Sequence, residues 1–484
     1  MWPEKLVTAG HSWSQLATEV KIWHFLNTLK VHEGNVLTLY GLISLIGIFI
    51  GFEIPLISRL NEEHTENIEA NLASILKMDY IGALVGALIW VFVLPKFFTL
   101  NQVAFILGGF SLLTALICLL FFRTKMKSFR SMSCALFIAF LLLCIGFKQS
   151  NKWALYSEQA LYFDKVIYSD TSPYQHIVLT ESDSGTLRCY INGHIQFASD
   201  DEHIYHELLV HPAMSLAGRK ERILVLGGGD GMAVREVLKH PEVKEITLVD
   251  LDPFMTKLAS EHPVLSQLNE FSLTDKRVQL QPSDAISQGE KIPLEFIPQR
   301  RLRRQTESSV GPLLHLQNID AANFIQNTHG LYDVIILDFP DPSNVEVAKL
   351  YSQHFYIGLK KILSADGIII QQSTSTYRAK EAFLCIGRTL NSSGLSAIPF
   401  HDHVPSFGEW GWWIASHAEL STTSELTERM STLSDLPQEL NYLTAELIHS
   451  SLHFGQNDLE TTERDITTIL NPAVLNHYHS GWTH

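Results

Sequence analysis

Long apolar runs fill the first 150 residues of this chain, and a finer alternation of apolar and polar positions fills the rest. Four runs stand out: 35–55 (NVLTLYGLISLIGIFIGFEIP), 80–98 (YIGALVGALIWVFVLPKFF), 102–122 (QVAFILGGFSLLTALICLLFF) and 132–148 (MSCALFIAFLLLCIGFK). Each approaches the ~20 residues that a helix needs to cross a bilayer. Four of them between residues 35 and 148 predict membrane spans rather than helices of a soluble core. The first run starts too late and is too long to be a cleavable leader. Gly82 and Gly86 form a GxxxG, which predicts a close helix contact in the second run.

The period changes after residue 150. HIVLTESDSGTLRCYINGHIQF (176–197) alternates around turn residues and predicts β-hairpins. A helix follows at 201–217, then a strand, a glycine loop and a helix in RILVLGGGDGMAVREVLKH (222–240). Further strands are expected at ITLVDLDP (246–253), DVIILDF (333–339) and GIIIQQ (367–372). Apolar strands alternating with helices predict an open, mainly parallel α/β sheet. About residues 283–312, Pro, Ser, Gly and the basic cluster Arg300, Arg301, Arg303 and Arg304 break the rhythm as an inserted surface loop. The expected organisation is an N-terminal segment 1–34, a multi-span helical membrane region 35–148, and a small β-rich subdomain 150–215. A Rossmann-like methyltransferase-type α/β domain at 216–416 and a helical tail at 417–484 follow.

Composition narrows the function. A formal net charge of −15 argues against a nucleic-acid partner and is compatible with a cationic substrate. The five cysteines form no CxxC pair, three lie in apolar runs, and the 22 histidines show no metal-ligand spacing. No metal site is expected.

The glycine loop carries the chemistry. In ILVLGGGDGM (223–232), Gly227 and Gly229 let the backbone turn and aim N–H groups at a ligand, and Asp250 closes the next strand where it can take two ribose hydroxyls. These features are shared by dehydrogenases and S-adenosylmethionine methyltransferases. Asp230 is unusual inside such a loop. It would repel the carboxylate of S-adenosylmethionine and attract the ammonium left when that carboxylate is removed; alternatively it caps the helix. LDFPDP (337–342) sets Asp338 and Asp341 at a strand C-terminus, where two carboxylates can bind an amine and accept its proton. Asp341 before Pro342 also suits a turn.

From about 155 to 416 the sequence resembles spermidine synthases, the polyamine aminopropyltransferases. The stretches that carry the resemblance are YQHIVL (174–179), LRCYINGHIQF (187–197), DEHIYHELLVHP (201–212), VLGGGDGMAVREVLKH (225–240), VDLDP (249–253), IDAANF (319–324), YDVIILDFPDP (332–342) and VPSFGEWGWWIAS (404–416). The apolar N-terminal region with GFEIPL (51–56) looks like the membrane-bound branch, which usually has more spans. The resemblance implies that Gln175, Gly227, Gly229, Asp230 and Asp250 bind the donor. It places Tyr205 and His206 beside the donor and amine, Asp320 at the adenine amino group, Asp338 as the catalytic acid with Tyr205, and Asp341 beside the amine. SDA at 283–285 also matches the adenine pattern. Phe407 stands where many members carry an amine-contacting tyrosine, and DFPDPSN replaces the common DSSDP.

The implied reaction is aminopropyl transfer from decarboxylated S-adenosylmethionine, the co-substrate, to a diamine such as putrescine, without a further cofactor. Methyl transfer, or polyamine sensing without turnover, are the alternatives. The resemblance leaves room for a homo-oligomer, and the apolar runs imply lipid as a partner in a multi-pass cell-membrane protein. Basic residues in RTKMKSFR (123–130) oppose Lys21, Lys30, Lys96, Lys148 and Lys152 in setting orientation. A cytosolic donor metabolite favours a cytoplasmic catalytic domain.

Overall fold

The structure is a computed structural model and describes residues 40–41, 43–59, 68–98, 100–124, 128–274, 279–281 and 312–482. The expected N-terminal segment, residues 35–39 of the first apolar run, the second adenine-like stretch at 283–285 and the insert up to residue 311 lie outside the described residues. The chain divides into two compact units, Met1–Ala154 and Leu155–His484.

In the first unit, three described helices are long and apolar enough to cross a membrane: Glu69–Phe92, Gln102–Phe121 and Phe129–Ser150. They lie within α1 (Ile68–Phe92), α2 (Leu100–Phe121) and α3 (Phe129–Gln159). Residues 43–59, which overlap the first expected run, are helical as well. Large apolar side chains such as Leu84, Phe110 and Phe137 stand exposed on these helices, far more apolar surface than water tolerates on a monomer. The close contact expected at Gly82 and Gly86 does not form among the described residues: nothing lies within 4 Å of a Cβ built on either. It forms between α2 and α3. A Cβ on Gly108 would stand 2.7 Å from Leu143 Cδ1, and one on Gly146 would run into the Phe105 ring. One glycine on each helix, rather than two on one, lets these backbones approach.

The second unit opens with a four-stranded antiparallel meander, β1 (Lys165–Thr171), β2 (His176–Glu181), β3 (Leu187–Ile191) and β4 (His194–Ala198). Asn192 and Gly193, with φ of 51° and 83°, make the tight β3–β4 turn, the left-handed pair that matches strand twist. Helix α4 (Glu202–Leu216) leads into the large sheet: β5 (Arg222–Gly227), α5 (Met232–Val237), β6 (Glu245–Val249), β7 (Gln279–Gln281), β8 (Leu313–Gln317), α6 (Ala321–Asn327), β9 (Tyr332–Asp338), β10 (Leu363–Gln372), α7 (Lys380–Ser392), β11 (Leu395–Val404) and β12 (Gly408–His417). Helix α8 (Ala473–Trp482) lies near the end of the chain.

The strand order is β11-β12-β10-β9-β5-β6-β8-β7. Pairs from β10 to β7 are parallel, and β12 joins antiparallel to β10 and β11. This is the Rossmann-like α/β architecture with a β-rich subdomain. Strand β5 shows why the sheet is buried on both faces. Ile223 and Val225 enter one core with Leu208 and Leu209 of α4, while Leu224 and Leu226 enter another with Phe383 of α7 and Val474 of α8. Alternate side chains leave a strand on opposite faces, so an unbroken apolar run is what a doubly covered strand requires. After β8 the chain returns to the other side of β5 to form β9. Ligands of such sheets bind at the strand ends where the order reverses, and there Gly227 lies opposite Asp338.

The segment beyond residue 417 is built into this unit. The buried Glu207 carboxylate accepts the backbone N–H groups of Asn441, Tyr442 and Leu443 at 2.7, 3.0 and 2.8 Å, and Ala473, Val474, Leu475 and Tyr478 join the core.

Candidate active site

The glycine loop is as tight as its sequence demands. Gly227 has φ 81°, and a Cβ there would collide with the Asp338 carbonyl. A Cβ on Gly229 would stand 2.6 Å from Asp250 Oδ2. The loop therefore passes directly over the ends of β6 and β9. Asp250 accepts Gly229 N–H at 3.0 Å and Asp252 N–H at 2.8 Å. Burial pushes its carboxyl up to about 6, opposed by those two backbone donors.

Asp230 Oδ1 accepts the Met232 N–H at 2.9 Å at the start of α5. The helix cap weighed from sequence falls instead on Gly231, which makes no side-chain cap bond; the Asp230 turn occupies one oxygen, and the residue is only half-buried. A ring nitrogen of His206 and one oxygen each of Asp230 and Asp338 lie within 4.8 Å of one another. His206 Nδ1 is taken by Glu202, 2.8 Å from both its carbonyl and Oε2, which leaves Nε2 for the cleft. Burial opposes a charge on His206, but the Glu202 carboxylate, with Asp230 and Asp338, outweighs it and raises His206 to about 9.

Tyr205 donates to Asp338 Oδ1 at 2.7 Å. Burial and the Asp338 charge hold the phenol well above its ordinary range, so Tyr205 is a hydrogen-bond donor here and not a base. Asp338 is raised to about 6 by burial and by Asp230, against the opposing effects of His206 and Tyr205. Asp341 Oδ2 accepts from Thr374 Oγ1 at 3.0 Å, Oδ1 faces Gln372 Nε2 at 3.4 Å, and Tyr478 of α8 also bonds the carboxyl. Burial pushes Asp341 up to about 6 against those donors. Phe407, in the β11–β12 turn, sets its ring edge-on to Tyr205 with centroids 5.9 Å apart.

Two expected donor residues sit at the rim. Asp320 caps α6 by accepting Asn323 N–H at 2.9 Å, just beyond the end of β8. Gln175 lies in the β1–β2 turn, its N–H bound to Ser172 Oγ at 3.0 Å; that hydroxyl donates to Asp252 Oδ2 at 2.7 Å, next to the ribose-type acid. Another group, Cys385, Asp465 and His477, also brings three ligand atoms together. Arg388 already donates to Asp465 there at 3.0 Å, so the cluster has its cation.

The spermine/spermidine synthase domain profile matches residues 202–293 and 298–426. The polyamine aminopropyltransferase of Oceanobacillus iheyensis is 33% identical over 447 residues, covering 92% of this chain and 78% of that protein. The chain belongs to the polyamine aminopropyltransferase family. A second family member, from Leptospira interrogans, is 33% identical over 445 residues, covering 92% and 79%. A crystal structure of spermidine synthase from Thermotoga maritima superposes with a TM-score of 0.46 at 22% identity, over 61% of this chain and 87% of that one. As a member of this family the protein is a transferase.

Some polar neighbours of this aminopropyltransferase site were not foreseen. Glu202 stands four residues before His206, a spacing that places both on one helix face, so that signal was readable. Arg235, which grips Glu202, and Tyr478, which reaches Asp341, come from distant segments. Thr374 holds a left-handed φ of 62° while fully buried, a strained conformation that marks functional sites and leaves no trace in sequence.

Proposed function

We propose that the protein transfers the aminopropyl group of decarboxylated S-adenosylmethionine to a diamine, putrescine, releasing spermidine and methylthioadenosine. The observation that carries this reading is the cluster of Asp230, His206 and Asp338 at the switch point of the sheet, with Tyr205 locked onto Asp338. The donor's ammonium sits on Asp230 and His206. The attacking amine sits on Asp338 and Tyr205. Asp250 takes the ribose hydroxyls, and Gln175 and Asp320 close the nucleoside end.

The reaction needs no covalent enzyme intermediate, because the sulfonium already activates the adjacent carbon. The amine lone pair attacks that carbon, and the C–S bond breaks with its electron pair going to sulfur. Asp338 accepts the proton lost from nitrogen. An amine free in solution has a pKa near that of lysine, about 10, so binding beside a carboxylate that can take the proton is essential. Tyr205 fixes the Asp338 carboxylate and keeps its own proton. Alignment of nitrogen with the C–S bond supplies much of the remaining acceleration.

The exposed apolar helices support a membrane-bound member of the family, with α1, α2 and α3 as spans and lipid as their solvent. We place the catalytic unit on the cytoplasmic side, where the donor is made. Purified full-length chain, labelled decarboxylated donor and a panel of amines, with products identified by mass spectrometry, test the reading. Equal amounts of methylthioadenosine and spermidine are expected with putrescine. Methylation of an amine by intact S-adenosylmethionine, or binding without turnover, would overturn it.

A further inference from the structure

The ring of His206 is the inner end of a buried ionic chain. Glu202, which bonds His206 Nδ1, is also gripped by Arg235 through two bonds, at 2.8 and 2.9 Å. Arg235 Nε donates to Glu236 at 2.7 Å, and Glu236 in turn meets His211 and Lys239 at 2.8 and 2.7 Å. Glu202, His206, Arg235 and Glu236 are all under a tenth exposed. The groups that face His206 are therefore Glu202 from its own helix, with Arg235 of α5 behind it, Asp230 from the glycine loop, Asp338 from β9, and the Tyr205 ring, edge-on at 4.9 Å.

Two consequences follow from this geometry. Nδ1 meets only acceptors, the carbonyl and carboxylate of Glu202, so it keeps its hydrogen in either charge state. Any proton exchanged by the ring is then exchanged at Nε2. Glu202 stays paired to Arg235 when His206 becomes neutral, so losing that proton strands no buried charge. On the cleft side, three acceptors surround one point. A primary ammonium with N–H···acceptor distances of about 2.8 Å and tetrahedral angles holds its acceptors roughly 4.6 Å apart. The His206, Asp230 and Asp338 atoms lie within 4.8 Å of one another. That arrangement suits an ammonium only if Nε2 offers its lone pair.

We propose that the donor's ammonium takes the place of the Nε2 proton, so that each donor bound releases one proton from His206, with Glu202 and Arg235 as the positioning pair that makes the exchange possible. This rests on the aminopropyl-transfer reading. The exchange balances charge: one cation enters the cradle as H+ leaves it, and Asp230 and Asp338 keep a counter-ion throughout. An empty site holds an imidazolium between its two acids; an occupied site holds the substrate's ammonium instead.

The test is calorimetry of the full chain in detergent, with decarboxylated S-adenosylmethionine as titrant and no acceptor, in phosphate, HEPES and Tris at pH 7.5. That pH lies above the value of about 6 for Asp338 and Asp250 and below the value of about 9 for His206, which isolates the histidine. The dependence of heat on buffer ionisation should give about one proton released per donor. Methylthioadenosine, which lacks the ammonium, should release none. His206→Gln should still bind the donor and lose the release. In the wild type alone, the release should persist to pH 8.5 and fade as pH rises through about 9. Donor binding without buffer-dependent heat, or equal release from His206→Gln, would overturn the exchange and leave the transfer reading standing. Failure to bind the decarboxylated donor while binding the intact one would overturn both.

Discussion

The two sides of the cleft are built differently. On the proposed reading, the donor side draws mainly on residues 227–320, with the glycine loop and Asp230, the strand end with Asp250 and the cap at Asp320, joined by Gln175 of the β1–β2 turn and His206 of α4. The acceptor side is assembled from remote pieces. Asp338 comes from β9, Tyr205 from α4, Phe407 from a hairpin turn, and the bond on Asp341 from Tyr478 in α8. A donor common to a family can be held by a fixed motif, whereas an acceptor site assembled from distant segments can be retuned piece by piece. Phe407 and the DFPDPSN stretch, where the sequence resemblance implied departures from other members, fall on that second side.

Substitutions on the acceptor side should then affect turnover more than donor binding. Asp338→Asn removes the proton acceptor while preserving shape, and general-base loss costs about 10²–10⁴ in rate. Donor affinity measured by calorimetry should fall as well, because an Asp338 oxygen shares the ammonium cradle, but by less than turnover, about ten- to a hundredfold at most. A variant that loses both in proportion would merge the two sides. The pH profile gives the next effect. Asp338 must be ionised to accept a proton, and burial raises it to about 6. With the carboxylate present above that value and lost below it, kcat/KM should fall about tenfold per unit as pH drops under 6. A limb that persists unchanged in Asp338→Asn would assign it elsewhere. The smallest effect belongs to Tyr478→Phe. It removes one hydrogen bond from Asp341, worth about 0.5–1.5 kcal/mol, and should raise the KM for the amine a few-fold with the donor's KM unmoved.

The same division explains what could be read from sequence. The sheet was legible because buried strands must be apolar on both faces, as Ile223 to Leu226 are. The placement of Asp250 against the glycine loop was legible because such a loop closes over the end of the neighbouring strand, where a Cβ on Gly229 would meet the Asp250 carboxylate. Tyr478 was not legible: its helix lies 137 positions from Asp341 and is an ordinary amphipathic segment by pattern. Arg235 was hidden for a related reason, since a cation in an exposed-looking helix gives no sign that it will be buried against Glu202. In the first unit the small-residue rule held, but its positions moved. Gly82 and Gly86 matched the spacing of a close contact, whereas Gly108 and Gly146 face a neighbouring helix, and only the packing distinguishes them.

The measurement that most directly tests the division is donor selectivity at Asp230. Wild type and Asp230→Asn would be titrated with decarboxylated and with intact S-adenosylmethionine. If Asp230 reads the donor's charge, the substitution removes a charge-assisted bond worth roughly 1.5–3 kcal/mol, a loss of about ten- to a hundredfold in affinity for the decarboxylated form. Binding of the intact form should improve as its carboxylate is no longer repelled. An Asp230→Asn protein that binds the decarboxylated donor as the wild type does, and still excludes the intact one, would contradict the account and leave Asp230 as the acceptor for Met232 N–H alone.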